Sequence, residues 1–121
     1  MGRLSVVLFA MLVLAGGAEA ASRLKATMKS WKAEGVSAEQ MLAGGKLDDA
    51  EWRRIFSTYA RESQELSAAL GTATAERRDM SARFQQFSAA ADALASGGPE
   101  SRARFARLRG ACKACHDLYA N

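Results

Sequence analysis

Cys112-Lys113-Ala114-Cys115-His116 lies five residues short of the C-terminus and holds both cysteines and the single histidine of the chain. On a helix, positions i, i+3 and i+4 share one face. Cys112 and Cys115 then line one edge with the imidazole of His116 beside them, while Lys113 and Ala114 face elsewhere. This is the C-x-x-C-H pattern of covalent haem attachment, in which two sulfurs take the vinyl groups of one haem edge and the imidazole takes the iron. Zinc prefers four Cys or His ligands, and the chain has three such residues. A thioredoxin-type dithiol is expected near a βαβ pattern, which is absent here. A plain disulfide would leave His116 without a role.

The residues that precede the motif read as helices. Ser22 to Glu34 carries Leu24, Met28 and Trp31 at helical spacing, and Gly35 is expected to end that helix. Residues 36–47 look looser, with Ser37-Ala38-Glu39-Gln40 capping one short turn before Gly44-Gly45. Asp48 with Glu51 resembles an N-terminal cap, followed by the stripe Trp52, Ile55, Phe56, Tyr59, Leu66 and Leu70 and a stop at Gly71. Arg53, Arg54, Arg61 and Glu65 oppose that stripe. A third helix begins near Thr72 or Thr74 and carries Met80, Phe84, Phe87, Ala91 and Leu94. Gly97-Gly98 breaks it, Pro99 suits the first position of a fourth helix, and Glu100 suits its first turn.

The last stripe is Phe105, Leu108, Cys112, Cys115, His116 and Tyr119. The motif therefore continues the core-facing side of helix four. Short connections at 71–73 and 96–98 predict an all-α, antiparallel four-helix bundle with haem attached near the C-terminal end of helix four, inside the bundle. With its turn at Gly97-Gly98, the last hairpin puts residue 116 level with residue 79, so Met80 stands at haem height.

Residues 1–20 read as a cleavable secretory signal peptide: Arg3, the apolar run Leu4 to Leu14, and the small-residue site Ala18-Glu19-Ala20. That run is shorter than the ~20 residues that span a bilayer, so no membrane span is expected after cleavage; an uncleaved anchor, with Ala15 to Ala18 extending the run, is the lesser alternative. Export suits the motif, because bacteria attach haem covalently outside the cytoplasm, and it makes the protein periplasmic. Residues 21–121 form one domain. Loss of Arg3 and Glu19 keeps the net charge at +4, a balance that attracts acidic partners or anionic lipid. No basic patch interleaved with aromatics points to nucleic acid. No base–nucleophile pair or poised charge pair points to catalysis, so an enzyme is not expected.

The chain resembles the class II cytochromes c, the cytochrome c′ group and its low-spin relatives. Cys112-Lys113-Ala114-Cys115-His116-Asp117 with Tyr119 is similar to the closing segment of that family, Ser88-Ala89-Ala90-Ala91-Asp92 to its third helix, and Arg23 with Met28-Lys29 to its first. The place four after the haem His, basic in many members, is Ala120. The resemblance implies one haem c held by Cys112 and Cys115, His116 as proximal iron ligand, and Arg23 against a haem propionate. It implies Met28 as the distal iron ligand in a low-spin protein, with Met80 packing against the ring. With Met28 unbound, Leu24 would shield a vacant site. Met41 is the remaining methionine that could reach iron. A saturated His/Met site implies electron transport with redox proteins as partners, since Met ligation raises the potential. A five-coordinate site implies binding of nitric oxide or carbon monoxide. A haem-free helical interaction module is the third class. A homodimer is an assembly the family uses.

Overall fold

The computed structural model describes the backbone of residues 2–119 and the side chains of residues 20–119. The signal-peptide reading therefore lies, apart from Ala20, outside the side chains described, and Ala120 lies outside the described residues. Among these there are four helices and no strand: α1 (Gly2–Gly44), α2 (Asp49–Leu70), α3 (Ala75–Ala95) and α4 (Ser101–Tyr119).

The helix ends follow local chemistry. The Asp48 side chain accepts the Glu51 amide at 3.1 Å, and Thr74 accepts the Arg77 amide at 3.1 Å, each capping a free N–H of a first turn. Gly71 takes a φ of +64°, open to glycine without a Cβ clash, and its amide closes α2 on the Ser67 carbonyl at 3.2 Å. Pro99 and Glu100 lie in a turn ahead of α4 rather than inside it. There Ser101 Oγ donates to the Gly98 carbonyl at 2.8 Å.

The first helix corrects the expectation most. Gly35 does not end α1, and residues 36–44 continue it without a break. A mid-helix glycine costs about 1 kcal/mol relative to alanine. Here Tyr59 offsets that cost: its hydroxyl donates to the Trp31 carbonyl at 2.6 Å, one turn before Gly35. A Cβ at position 35 would sit 3.5 Å from that hydroxyl. Ala38, fully buried, then carries the inward stripe on to Leu42.

Side-chain contacts fix the directions. Trp31 and Glu34 of α1 meet Glu62 and Arg54 of α2. Trp52 and Ser67 of α2 meet Leu94 and Ser81 of α3. Ala93 and Asp79 of α3 meet Arg104 and Tyr119 of α4. Numbers fall on one helix as they rise on the next, so sequential neighbours are antiparallel. Arg102 reaches the Leu42 carbonyl at 2.7 Å and Arg109 pairs with Glu39, which sets the start of α4 against the end of α1.

Most of the core lies between α2 and α3. Trp52, Ile55, Phe56, Leu66 and Leu94 are fully buried, each contributing about 1.5–3 kcal/mol by leaving water. A polar seam runs through the same interface. Ser67 and Ser81 share a 2.6 Å hydrogen bond, and Ser88 donates to the Ala60 carbonyl at 2.9 Å. Ser63 is fully buried and its hydroxyl has no partner.

Candidate functional site

The inward stripe of α4 leaves the core halfway along the helix. Ser101, Phe105 and Leu108 are buried, Cys112 and Cys115 are half-buried, and His116 is exposed. Leu118 is 58% exposed. The sequence pattern predicted a buried motif; instead the motif borders a groove. Its walls explain the difference, because Ala90, Ala93 and Ala111 are too short to fill the space between α3 and α4.

The groove has a volume of about 430 Å³, within the ~300–1,000 Å³ typical of cofactor sites. Cys112, Cys115 and His116 line it from α4, Phe84 and Phe87 from α3, and Met28 and Trp31 from α1. Trp31 is the most heavily contacted of its aromatic walls. Its ring stacks on Phe87 at 4.9 Å and 10° and tilts against Tyr59 at 4.9 Å, while Nε1 donates to Glu62 at 3.1 Å.

The three methionines differ in placement. Met28 borders the groove; Met80 and Met41 are partly buried against the core and do not line it. Leu24, one turn before Met28, is likewise packed on the core, and Arg23 is exposed and outside the lining. Three arginines the sequence reading passed over, Arg83, Arg104 and Arg107, do line the groove, and no acidic residue does. The i,i+4 spacing of Asp79 and Arg83, with Tyr119 three residues past His116, was the available signal. These three form a cluster in which Tyr119 Oη donates to Asp79 Oδ2 and Arg83 Nε donates to the same oxygen at 2.8 Å. Both bonds hold the Asp79 carboxyl below the ordinary carboxylate range, the Tyr119 bond most strongly.

The two thiols are free. Burial pushes Cys112 up to about 11, with the neighbouring Cys115 adding to the effect. Burial also raises Cys115, helped by Asp79 and opposed by Arg83. A thiol-exchange centre needs the reverse, a depressed thiol. Among the described residues no three His, Cys, Asp or Glu side chains converge on a metal site, and no helix is long and apolar enough to cross a membrane.

These residues fit a haem by their chemistry. Two thiols and an imidazole share one wall, a thioether stands on another, the remaining walls are aromatic or aliphatic, and cations border the rim. No protein-family model, no curated protein and no solved structure matches this chain.

Proposed function

We propose that the protein is a periplasmic monohaem c-type cytochrome of class II type, closing as an antiparallel four-helix bundle around one covalent haem c and carrying electrons between redox proteins. The observation that carries this reading is the convergence of Cys112, Cys115, His116 and Met28 on one aromatic-walled groove. Bound there, haem would supply a one-electron Fe(III)/Fe(II) couple.

The chain's own residues have definite tasks. Cys112 and Cys115 would hold the haem as two thioethers, each thiol adding its sulfur and hydrogen across one vinyl double bond, so that attachment would consume no oxidant or reductant. His116 would offer the iron an imidazole nitrogen. Met28, on another wall of the groove, would offer a thioether, a soft ligand that favours the reduced state. Trp31, Phe84, Phe87 and Leu108 exclude water and lower the local dielectric.

The absorption spectrum tests this reading. Met28→Ala should convert a low-spin ferric spectrum to high-spin and open the ferrous protein to carbon monoxide, whereas Met80→Ala should change neither. A high-spin wild type that takes up carbon monoxide readily would make the protein a five-coordinate gas binder instead.

A further inference from the structure

We propose that the outward face of α1 carrying Lys25, Lys29 and Lys32 is the docking surface for a redox protein with an acidic surface; this rests on the electron-transfer reading, in which the partner meets the protein beside Met28.

The three lysines stand at i, i+4 and i+7, so they share one side of the helix, and all are exposed. Met28 lies three residues after Lys25 and four before Lys32, the spacing of neighbours on a helix surface. Met28 itself lines the groove. The lysine stripe therefore runs along the outer edge of the wall that carries the thioether.

Charge is segregated along α1. Its acidic side chains among the described residues are Glu34 and Glu39, and these are taken by Arg54 of α2 at 2.8 Å and by Arg109 of α4. No ion pair among the described residues includes Lys25, Lys29 or Lys32. Cations elsewhere around the groove are committed: Arg83 to Asp79, Arg104 to Glu100, and Lys113 of the motif to Asp117. Lys25 and Lys29 repel at i,i+4, as do Lys29 and Lys32 at i,i+3. The stripe thus costs the isolated helix stability, and the carboxylates of a partner would offset that cost. A local positive field also speeds the encounter with such a partner.

The rest of the face favours a protein over a lipid surface. A helix that lies in a membrane turns Trp, Phe or Leu outward, whereas Leu24 and Trp31 pack on the core. The residues exposed between the lysines are Ala26, Ser30 and Ala33, small enough to let another surface come close. Val36 is 49% exposed and lies four residues past Lys32. It adds an apolar contact beside the charges, the mixture that protein interfaces use.

The test uses the haem-loaded protein and a fluorescent polyglutamate peptide, with binding read by anisotropy at low salt. A triple variant, Lys25→Gln with Lys29→Gln and Lys32→Gln, is compared with Lys46→Gln, Arg53→Gln and Arg78→Gln, which remove the same charge from exposed positions elsewhere. The α1 triple should weaken peptide binding about ten-fold and the control less than about two-fold. Arginine at the three α1 positions keeps the charge and should keep the binding. Oxidation of the ferrous protein by hexacyanoferrate(III) is the second readout. One electron passes from Fe(II) to the reagent, giving Fe(III) and hexacyanoferrate(II), with no bond made or broken. The α1 triple should slow this step more than the control does.

Equal losses in the two triples would assign the attraction to net charge and overturn the proposal, as would no loss in either. Lysine-dependent binding to phosphatidylglycerol vesicles by a protein that ignores the peptide would also overturn it, making the face a membrane contact. A wild-type chain that acquires no haem on export would remove the electron-transfer reading itself, whereas haem-loaded protein indifferent to the lysines removes only this assignment.

Discussion

Trp31→Ala should detach the first helix and spoil the groove together. Trp31 is 6% exposed, stacks on Phe87, tilts on Tyr59 and meets Phe84 edge-on at 6.2 Å. Truncating a buried tryptophan to alanine costs about 3–5 kcal/mol, with the aromatic pairs already inside that figure. A small domain holds only ~5–15 kcal/mol in total, so the variant should be marginal. Trp31→Phe is the control. It can keep the stack on Phe87 and loses mainly the 3.1 Å bond to Glu62, worth about 1 kcal/mol. Urea titration of the haem-free chains, followed by far-UV circular dichroism, reads both losses as midpoint shifts at constant slope. If Trp31→Ala loses less than about 1 kcal/mol more than Trp31→Phe, α1 is held by other contacts and the wall described above is wrong.

Two further outcomes follow from the same interior. Ser63→Ala should stabilise the protein by about 1 kcal/mol in the same titration, because it removes a buried hydroxyl that has no partner; destabilisation would mean that the hydroxyl is bonded in solution. Asp79 has a folded-state pKa below its ordinary value, so its contribution is present above that ordinary value and is lost as pH falls through the folded one. Asp79→Asn should therefore lower stability at neutral pH and flatten the acid limb of the stability profile, and an unchanged limb would show that the Tyr119 and Arg83 bonds contribute nothing.

Large side chains made much of the fold legible. The stripe from Trp52 to Leu70 is buried as its spacing predicted, and so are Phe84, Phe87, Ala91 and Leu94. The caps at Asp48 and Thr74 and the stop at Gly71 were equally readable. Small residues hid the rest. Leu24, Met28, Trp31, Gly35, Ala38 and Leu42 form one unbroken helical stripe, but Gly35 and Ala38 carry too little side chain to signal burial. Only the partner contributed by Tyr59 shows why the helix continues. The sequence singled out Cys112, Cys115, His116 and Met28, and the structure brings all four to one groove. Their setting at a groove was not legible, since it depends on what three alanines leave unfilled. The Asp79–Tyr119 contact was invisible for a related reason: it joins residues forty positions apart. Met80 shows the limit of register reasoning, because height along a helix does not say which way a side chain turns.

On the proposed reading, Cys112 and Cys115 carry a haem. Mass spectrometry of the protein purified from the periplasm of cells with working haem-attachment machinery tests it most directly. The expected product is a chain beginning near Ala21 with the mass of one haem added, and a haem-bearing peptide that contains both cysteines. An unmodified mass from those cells would contradict it.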